Sequence, residues 1–312
     1  MPEVTAFAPA SIANVGPGFD VLGCAVSGLG DWVTARLIDM PGVHIEAIEG
    51  DGGRLSREAT RNTAGVAALE TLKLLDVREA GVALRVRKGI PLGSGLGSSA
   101  ASAAAAAWAT NLLFGAPLQK RQLLPAGLAA EATVSGWHAD NVGPALLGGF
   151  VLIRSYDPLE LIELPSPREL TFVVTYPRFE LPTREAREAV PTMIPLAQHV
   201  ANSGNLAALI AALFGGDVRL LGKATTDVII EPARAHLIPG FAEVKAAALE
   251  AGAYGCSISG AGAAIFAVTD DSQQAPNIAA AMVDAFRQAG LEATPMISAV
   301  DMEGARVVAP EA

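Results

Sequence analysis

The segment from Pro91 to Ala101 reads P-L-G-S-G-L-G-S-S-A-A and runs into an alanine-rich stretch, Ala103 to Ala107. Alternate glycines, hydroxyls and then strong helix formers describe bare backbone that opens a helix. The first turn of a helix leaves about four amide N–H groups without intrahelical partners, and the macrodipole puts roughly half a positive charge at the same end. A phosphate satisfies both. Pro91, Leu92, Gly93, Ser94, Gly95, Leu96, Gly97, Ser98, Ser99, Ala100 and Ala101 are therefore candidate phosphate-binding residues. Glycine is expected where a Cβ would hold the ligand off the amides or forbid positive φ. The spacing is neither G-x-x-x-x-G-K-[ST] nor G-x-G-x-x-G. The competing reading is a small-residue helix packed on a sheet, its serines acting only as N-caps.

Three further segments carry polar groups in irregular surroundings. Pro9 to Asp20, P-A-S-I-A-N-V-G-P-G-F-D, is a Gly/Pro-rich segment whose polar side chains are Ser11, Asn14 and Asp20; such groups either bond their own backbone or serve binding. Ser257 to Phe266, S-I-S-G-A-G-A-A-I-F, is a third glycine cluster, and two amide-rich loops from different domains suit a cleft that closes on one ligand. Ala130 to Pro144 concentrates Glu131, His138, Asp140 and Asn141. A carboxylate at Glu131 and a serine hydroxyl facing bound phosphates are what Mg²⁺ takes, with phosphate and water completing its octahedron. His138 also fits a capping or core role, and the H-A-D spacing argues against zinc. Arg184, in L-P-T-R-E-A-R, and Arg234, in I-I-E-P-A-R-A-H, both follow a proline and are candidates to fork onto a carboxylate, against the commoner fate of a solvated arginine.

These groups need a scaffold. With 312 residues, 51% hydrophobic and 17% charged, the chain has material for two domains and a substantial core. A net charge of −10 argues against nucleic acid or an anionic membrane as partner. Two cysteines are too few for a disulfide framework and fit a reducing cytosol. No basic leader or long apolar run is seen, so a cytoplasmic protein without a membrane anchor is expected. Short strands are predicted at Val4–Ala8 and Asp31–Ile38 with Pro9–Gly23 mostly loop, and further strands at Val82–Arg87 and Phe150–Arg154. Helices are predicted at Asn62–Leu75, from the glycine loop to about Gly115, and at Lys120–Ser135. Pro158, Pro165 and Pro167 mark Asp157–Leu170 as the boundary, giving domains 1–165 and 166–312. Beyond it, strands are expected at Thr171–Tyr176, Ala263–Val268 and Thr294–Ala299, with helical segments at Arg184–Gly215, Phe241–Ala251 and Asn277–Gln288. Both halves read as α+β.

Together the quoted motifs resemble the GHMP small-molecule kinases. P-A-S-I-A-N-V-G-P-G-F-D is similar to the first family motif, P-L-G-S-G-L-G-S-S-A-A to the second and S-I-S-G-A-G to the third, in the expected order. His138 to Gly149, H-A-D-N-V-G-P-A-L-L-G-G, resembles the branch acting on L-homoserine. The third motif departs from the family in continuing with Ala263 and Ala264 rather than proline and a hydroxyl residue, which leaves it a backbone role. The resemblance implies a two-domain α+β fold, with an N-terminal ribosomal protein S5 domain 2-like domain that binds ATP and a C-terminal ferredoxin-like domain, and a homodimer. It implies phosphorylation of the L-homoserine hydroxyl, yielding O-phospho-L-homoserine for threonine synthesis. The Pro91–Ala101 loop would cradle the triphosphate, Ser99 or Ser98 would share Mg²⁺ with Glu131, and Asn62 and Lys88 would contact the adenosine. Asp20 would take the ammonium, Arg184 and Arg234 the carboxylate, and Asn14, His138 and Asn141 would surround the hydroxyl. Many relatives place an aspartate base where Asn141 stands; an amide cannot take a proton. Direct in-line transfer without a strong base is therefore expected, with Asp140 as the alternative base. Kinases of mevalonate, sugars or shikimate, and an inactive nucleotide-binding relative, are the rival readings.

Overall fold

The computed structural model describes residues 2–309. The N-terminal body is built from β1 (Glu3–Ala13), β2 (Leu22–Ile38), β3 (Gly42–Glu49), α1 (Thr63–Leu74), β4 (Gly81–Lys88), α2 (Ser98–Leu113), α3 (Leu124–Glu131), α4 (Ala139–Leu147), β5 (Phe150–Tyr156) and β6 (Leu159–Leu164). The C-terminal body follows with β7 (Thr171–Pro177), α5 (Thr183–Glu188), α6 (Leu196–Gly215), α7 (Val218–Ala224), α8 (Ile230–Arg234), α9 (Phe241–Glu250), β8 (Gly255–Ile258), β9 (Ile265–Thr269), α10 (Ala275–Gln288) and β10 (Ala293–Ala299). A last strand, β11 (Arg306–Val308), returns to pair with β1. A cut after residue 165 thus separates two sheets, while the chain's final strand belongs to the first of them. No helix among the described residues is long and apolar enough to cross a membrane.

The first sheet runs β11-β1-β2-β4-β3, with β5 paired to β2 and β6 to β5. Its β1–β2 ladder continues past Val4–Ala8 into the segment read as mostly loop, of which residues 14–21 are irregular. Proline lacks the N–H a ladder needs, and the register shifts between Pro9 and Ala10, so a bulge absorbs the missing donor and carries the strand on to Ala13. Against this sheet lies α2. Ala103 through Ala107 are all fully buried, and side chains this short let the helix approach both sheet and neighbouring helices. A helix apolar on every side is buried on every side.

Pro158 turns a β5–β6 hairpin rather than opening a linker. Along β6, Leu161 and Leu164 are buried while Glu160 and Glu163 face solvent. Proline also accounts for the split of the predicted 184–215 helix: Pro191 and Pro195 fall between α5 and α6, and a helix interior rejects them. The Lys120–Ser135 helix is shorter than expected, a 3₁₀ turn over Lys120–Leu123 followed by α3.

The second sheet, β10-β7-β9-β8, is antiparallel. Its strands alternate between two cores. Val173, Ile265 and Ala267 face α9 and α10, whereas Phe172, Val174, Phe266 and Val268 join the main core. Phe172 packs 6.3 Å from Phe150 and 5.8 Å from Phe266, centroid to centroid. Aromatic contact thus fastens the two bodies.

Candidate active site

A cleft of ≈ 370 Å³ opens where the bodies meet, lined on one side by the glycine loop, Lys88, Glu131 and Asn141 and on the other by Leu181, Arg187, Arg234 and Gly260. Gly93, Gly95 and Gly97 all have positive φ, at +70°, +82° and +69°, and Gly97 is the N-cap of α2. Side-chain bulk is excluded for a reason the sequence hid. A Cβ on Gly95 would stand 2.6 Å from the Gly262 carbonyl oxygen, and one on Gly97 would stand 2.1 Å from Ser11 Oγ. Other loops, rather than a ligand alone, need that space.

Those loops also decide what the glycine loop can offer. The carbonyls of Ser94, Gly95 and Leu96 accept from the Ala264 N–H at 3.0 Å, the Ser259 hydroxyl at 2.8 Å and the Ser11 N–H at 3.1 Å. The amides of Gly95 to Ser99 have no protein acceptor among the described residues. With its acceptors spent, the loop presents donors. The Ser257–Phe266 segment therefore braces the loop with its backbone and the Ser259 hydroxyl, and Ala264 serves there through its N–H.

Glu131 ends α3 inside the cleft. Ser135 donates to its Oε2 at 2.9 Å, while Oε1 is buried without a partner. Burial pushes its pKa up, opposed by the Ser99 and Ser135 hydroxyls and the Lys88 cation. Ser98 is engaged elsewhere, donating to the Ile90 carbonyl at 3.1 Å. Lys88 and Asn62 both line the cleft, and each already holds bonds within the fold. The Lys88 ammonium is ion-paired to Asp31 and donates to the Ser98 carbonyl at 2.7 Å and the Ser102 hydroxyl at 2.6 Å, which exhausts its three protons. Asn62 caps α1 through the Ala64 N–H at 3.0 Å and donates to the Ser56 carbonyl at 2.9 Å.

At the opposite end, Arg187 forks onto Asp20, at 2.7 and 3.0 Å, and His138 Nδ1 lies 3.5 Å from the same carboxylate. Arg234 is buried, donates to the Ala186 carbonyl at 2.9 Å and the Gly260 carbonyl at 3.0 Å, and lies over the Phe19 ring. Burial, reinforced by Arg187, lowers its pKa to about 10. Arg184 does not belong here. Its side chain is 90% exposed and pairs with Glu188 along α5; Arg187, in the same quoted segment, faces the cleft in its place. Asn14 lines the cleft and also fastens its loop, with φ +68°, accepting from the Asp20 N–H at 3.1 Å and donating to the Gly260 carbonyl at 3.0 Å.

Asn141, on the first turn of α4, accepts a hydrogen bond from Ser11 at 2.9 Å. Asp140 beside it is buried, and desolvation, with Asp20 and Glu131 nearby, lifts its pKa to about 7. Desolvation is also the main reason the His138 pKa is lowered, with Arg187 and Arg234 adding to it and Asp20 opposing. Tyr156 on β5 ties the region together by accepting from the Ala139 N–H and donating to the Asp20 carbonyl, both at 3.0 Å. Ser11 stood in the first quoted motif without an assigned role, and Asp31, Tyr156 and Arg187 carried no motif signal of their own. Only Arg187 had a usable clue, its place one helical turn beyond Arg184.

Four buried side-chain polar atoms lack partners among the described residues: Ser94 Oγ, Thr110 Oγ1, Glu131 Oε1 and Arg187 Nε. All but the Thr110 hydroxyl belong to residues that line the cleft. Buried polar atoms are almost always satisfied, so three orphans around one cavity, a hydroxyl, a carboxylate oxygen and a guanidinium nitrogen, are unmet bonding capacity concentrated at this cleft.

Comparison with known proteins agrees with this geometry. Residues 62–149 match the family model described as GHMP kinases N terminal domain, and residues 207–288 match GHMP kinases C terminal. The chain is 53% identical to a homoserine kinase of Arabidopsis thaliana, over 98% of this chain and 85% of that one. It is 44% identical to a homoserine kinase of Chloroherpeton thalassium, over 99% of this chain and 100% of that one. The crystal structure of homoserine kinase from Cytophaga hutchinsonii superposes with a TM-score of 0.95 at 45% identity, covering 99% of this chain and 98% of that one. Family models matched in both halves of the chain and relatives aligned over nearly all of it place this two-domain α+β chain in the GHMP kinase family.

Proposed function

We propose that this chain transfers the γ-phosphoryl group of ATP to the side-chain hydroxyl of L-homoserine. One observation carries the reading: a single cleft holds a donor-lined loop at one end and, at the other, a carboxylate and two guanidiniums, Asp20 with Arg187 and Arg234. The first suits polyphosphate. The second suits the ammonium and carboxylate of an amino acid, and the Asp20–Arg187 fork is what such a zwitterion would open and replace. Mevalonate and shikimate carry no ammonium for Asp20. The loop amides and the Ser94 hydroxyl would grip the phosphates. Glu131, with an unpartnered buried oxygen, and Ser99 beside it fit a Mg²⁺ that takes its other ligands from phosphate and water. Bound there, the ion would neutralise phosphate charge.

Asn141 and His138 would hold the acceptor hydroxyl in line. Neither needs to take its proton early, because a loose transition state is governed by positioning and charge. Asp140 offers a second route, since a carboxylate titrating near 7 suits a general base. That value reflects burial and neighbouring carboxylates. A substrate ammonium at Asp20 and a cation at Glu131 would lower it and weaken the base. Asp140→Asn should therefore reduce kcat by less than about tenfold. A fall beyond about 10²-fold at unchanged KM would assign the proton to Asp140.

The direct test is ADP release that depends on L-homoserine and Mg²⁺. Release driven instead by mevalonate or shikimate would overturn the substrate assignment. In the same assay, Arg187→Ala and Arg234→Ala should each raise KM for homoserine about 30-fold, or about 2 kcal/mol for a buried charged contact, with KM for ATP unchanged. Arg184→Ala should alter neither. A homoserine KM that responds to Arg184→Ala and ignores the other two would refute the clamp.

A further inference from the structure

Ser11 is fully buried, does not line the cleft, and touches both the glycine loop and Asn141, which must agree for transfer to occur. Its N–H bonds the Leu96 carbonyl of the glycine loop, its hydroxyl donates to Asn141 Oδ1 at 2.9 Å, and it fills the space beside Gly97 that a Cβ there would need. A Cβ on Gly97 would also come within 2.8 Å of Asn141 Oδ1. The hydroxyl therefore sits under the amide in a slot closed on its other side by the backbone at the α2 N-cap.

A side-chain amide has one end that accepts and one that donates, and rotation by half a turn exchanges them. We infer that Ser11 is a positioning residue for the Asn141 amide: with its hydroxyl donating to Oδ1, the acceptor end is held inward and the NH₂ end is left for the substrates. The consequence is chemical. Asn141 then meets the acceptor hydroxyl oxygen or a phosphate oxygen as a hydrogen-bond donor, and the hydroxyl's own proton is left to another acceptor. The inference rests on the placement of Asn141 beside the transferred group proposed above.

A double-mutant cycle tests it, read as kcat and both KM values, with thermal melting run on each variant. Asn141→Ala should lower kcat about 100-fold, as loss of a preorganised transition-state donor does. Ser11→Ala should lower kcat about tenfold with both KM values within twofold, and should have no further effect in the Asn141→Ala background. An equal Ser11→Ala effect in both backgrounds would show that Ser11 acts through packing and overturn the inference. An Asn141→Ala enzyme with wild-type kcat would instead refute the placement of Asn141. Asn141→Asp supplies an arm that does not depend on the folding of the serine variant. A carboxylate still accepts from Ser11 but has no donor end, so kcat should fall as far as in Asn141→Ala. An Asn141→Asp enzyme that retained or gained activity would overturn the assigned orientation.

Discussion

Glu131→Gln is expected to lower kcat by about 10²–10³-fold while the melting temperature stays the same or rises. The two halves of that result have one cause. Glu131 is fully buried and its pKa is pushed up by desolvation, so without a bound cation the folded protein holds this carboxylate at a cost. Because the folded-state pKa lies above the unfolded one, the folded state binds more protons between them, and stability falls as pH rises through that window. Glutamine keeps the shape and can still accept from Ser135, but cannot carry the charge, so both the cost and its pH slope should disappear. What is lost is the cation. Calorimetry should show the affinity for Mg·ADP falling while the affinity for metal-free ADP hardly moves. A fully active Glu131→Gln, or one whose Mg·ADP affinity is unchanged, would remove Glu131 from the metal site.

How much of this was readable in the chain depends on whether the determining contacts are local. The positive φ at Gly93, Gly95 and Gly97, the helix that starts at Ser98 and the cap at Asn62 are local events, and residue types announce them. The glycine loop also fails to pair its own amides, which its composition predicts. Contacts between distant segments left no such trace. Whether Arg184 or Arg187 faces the cleft depends on how α5 sits against Asp20, 167 residues from Arg187. The ion pair of Lys88 left no local trace, because its partner, Asp31, is 57 residues away on the neighbouring strand. Pro9 and Pro158 misled in the other direction. Proline breaks a ladder on average, yet a bulge and a hairpin turn accommodate it here.

Asp31→Ala should cost about 3–5 kcal/mol of stability, the range for breaking a buried ion pair and leaving its partner uncompensated. Asp31 is inaccessible to solvent, and each of its oxygens holds something different. Oδ1 accepts from the Gly89 and Ile90 amides at 3.0 and 3.2 Å, just where β4 hands the chain to the glycine loop. Oδ2 accepts from Lys88 and, at 2.7 Å, from Ser102 on α2. Strand, loop entry and helix are thus anchored on one carboxylate. The Lys88 pKa is already lowered by burial against the pull of Asp31, and without that pull it drops further. The folded variant then binds fewer protons than the unfolded chain between the depressed value and about 10.4, so its stability must rise with pH across that window. Urea unfolding of Asp31→Ala should therefore show a smaller deficit at about pH 9.5 than at neutrality. Adding Lys88→Met to the same variant should recover part of the loss, because no buried cation remains. KM for ATP should stay elevated in both variants, since neither restores the acceptor that holds the loop entry. A pH-independent deficit, or a double variant no more stable than the single one, would mean that Asp31 matters through its backbone contacts alone.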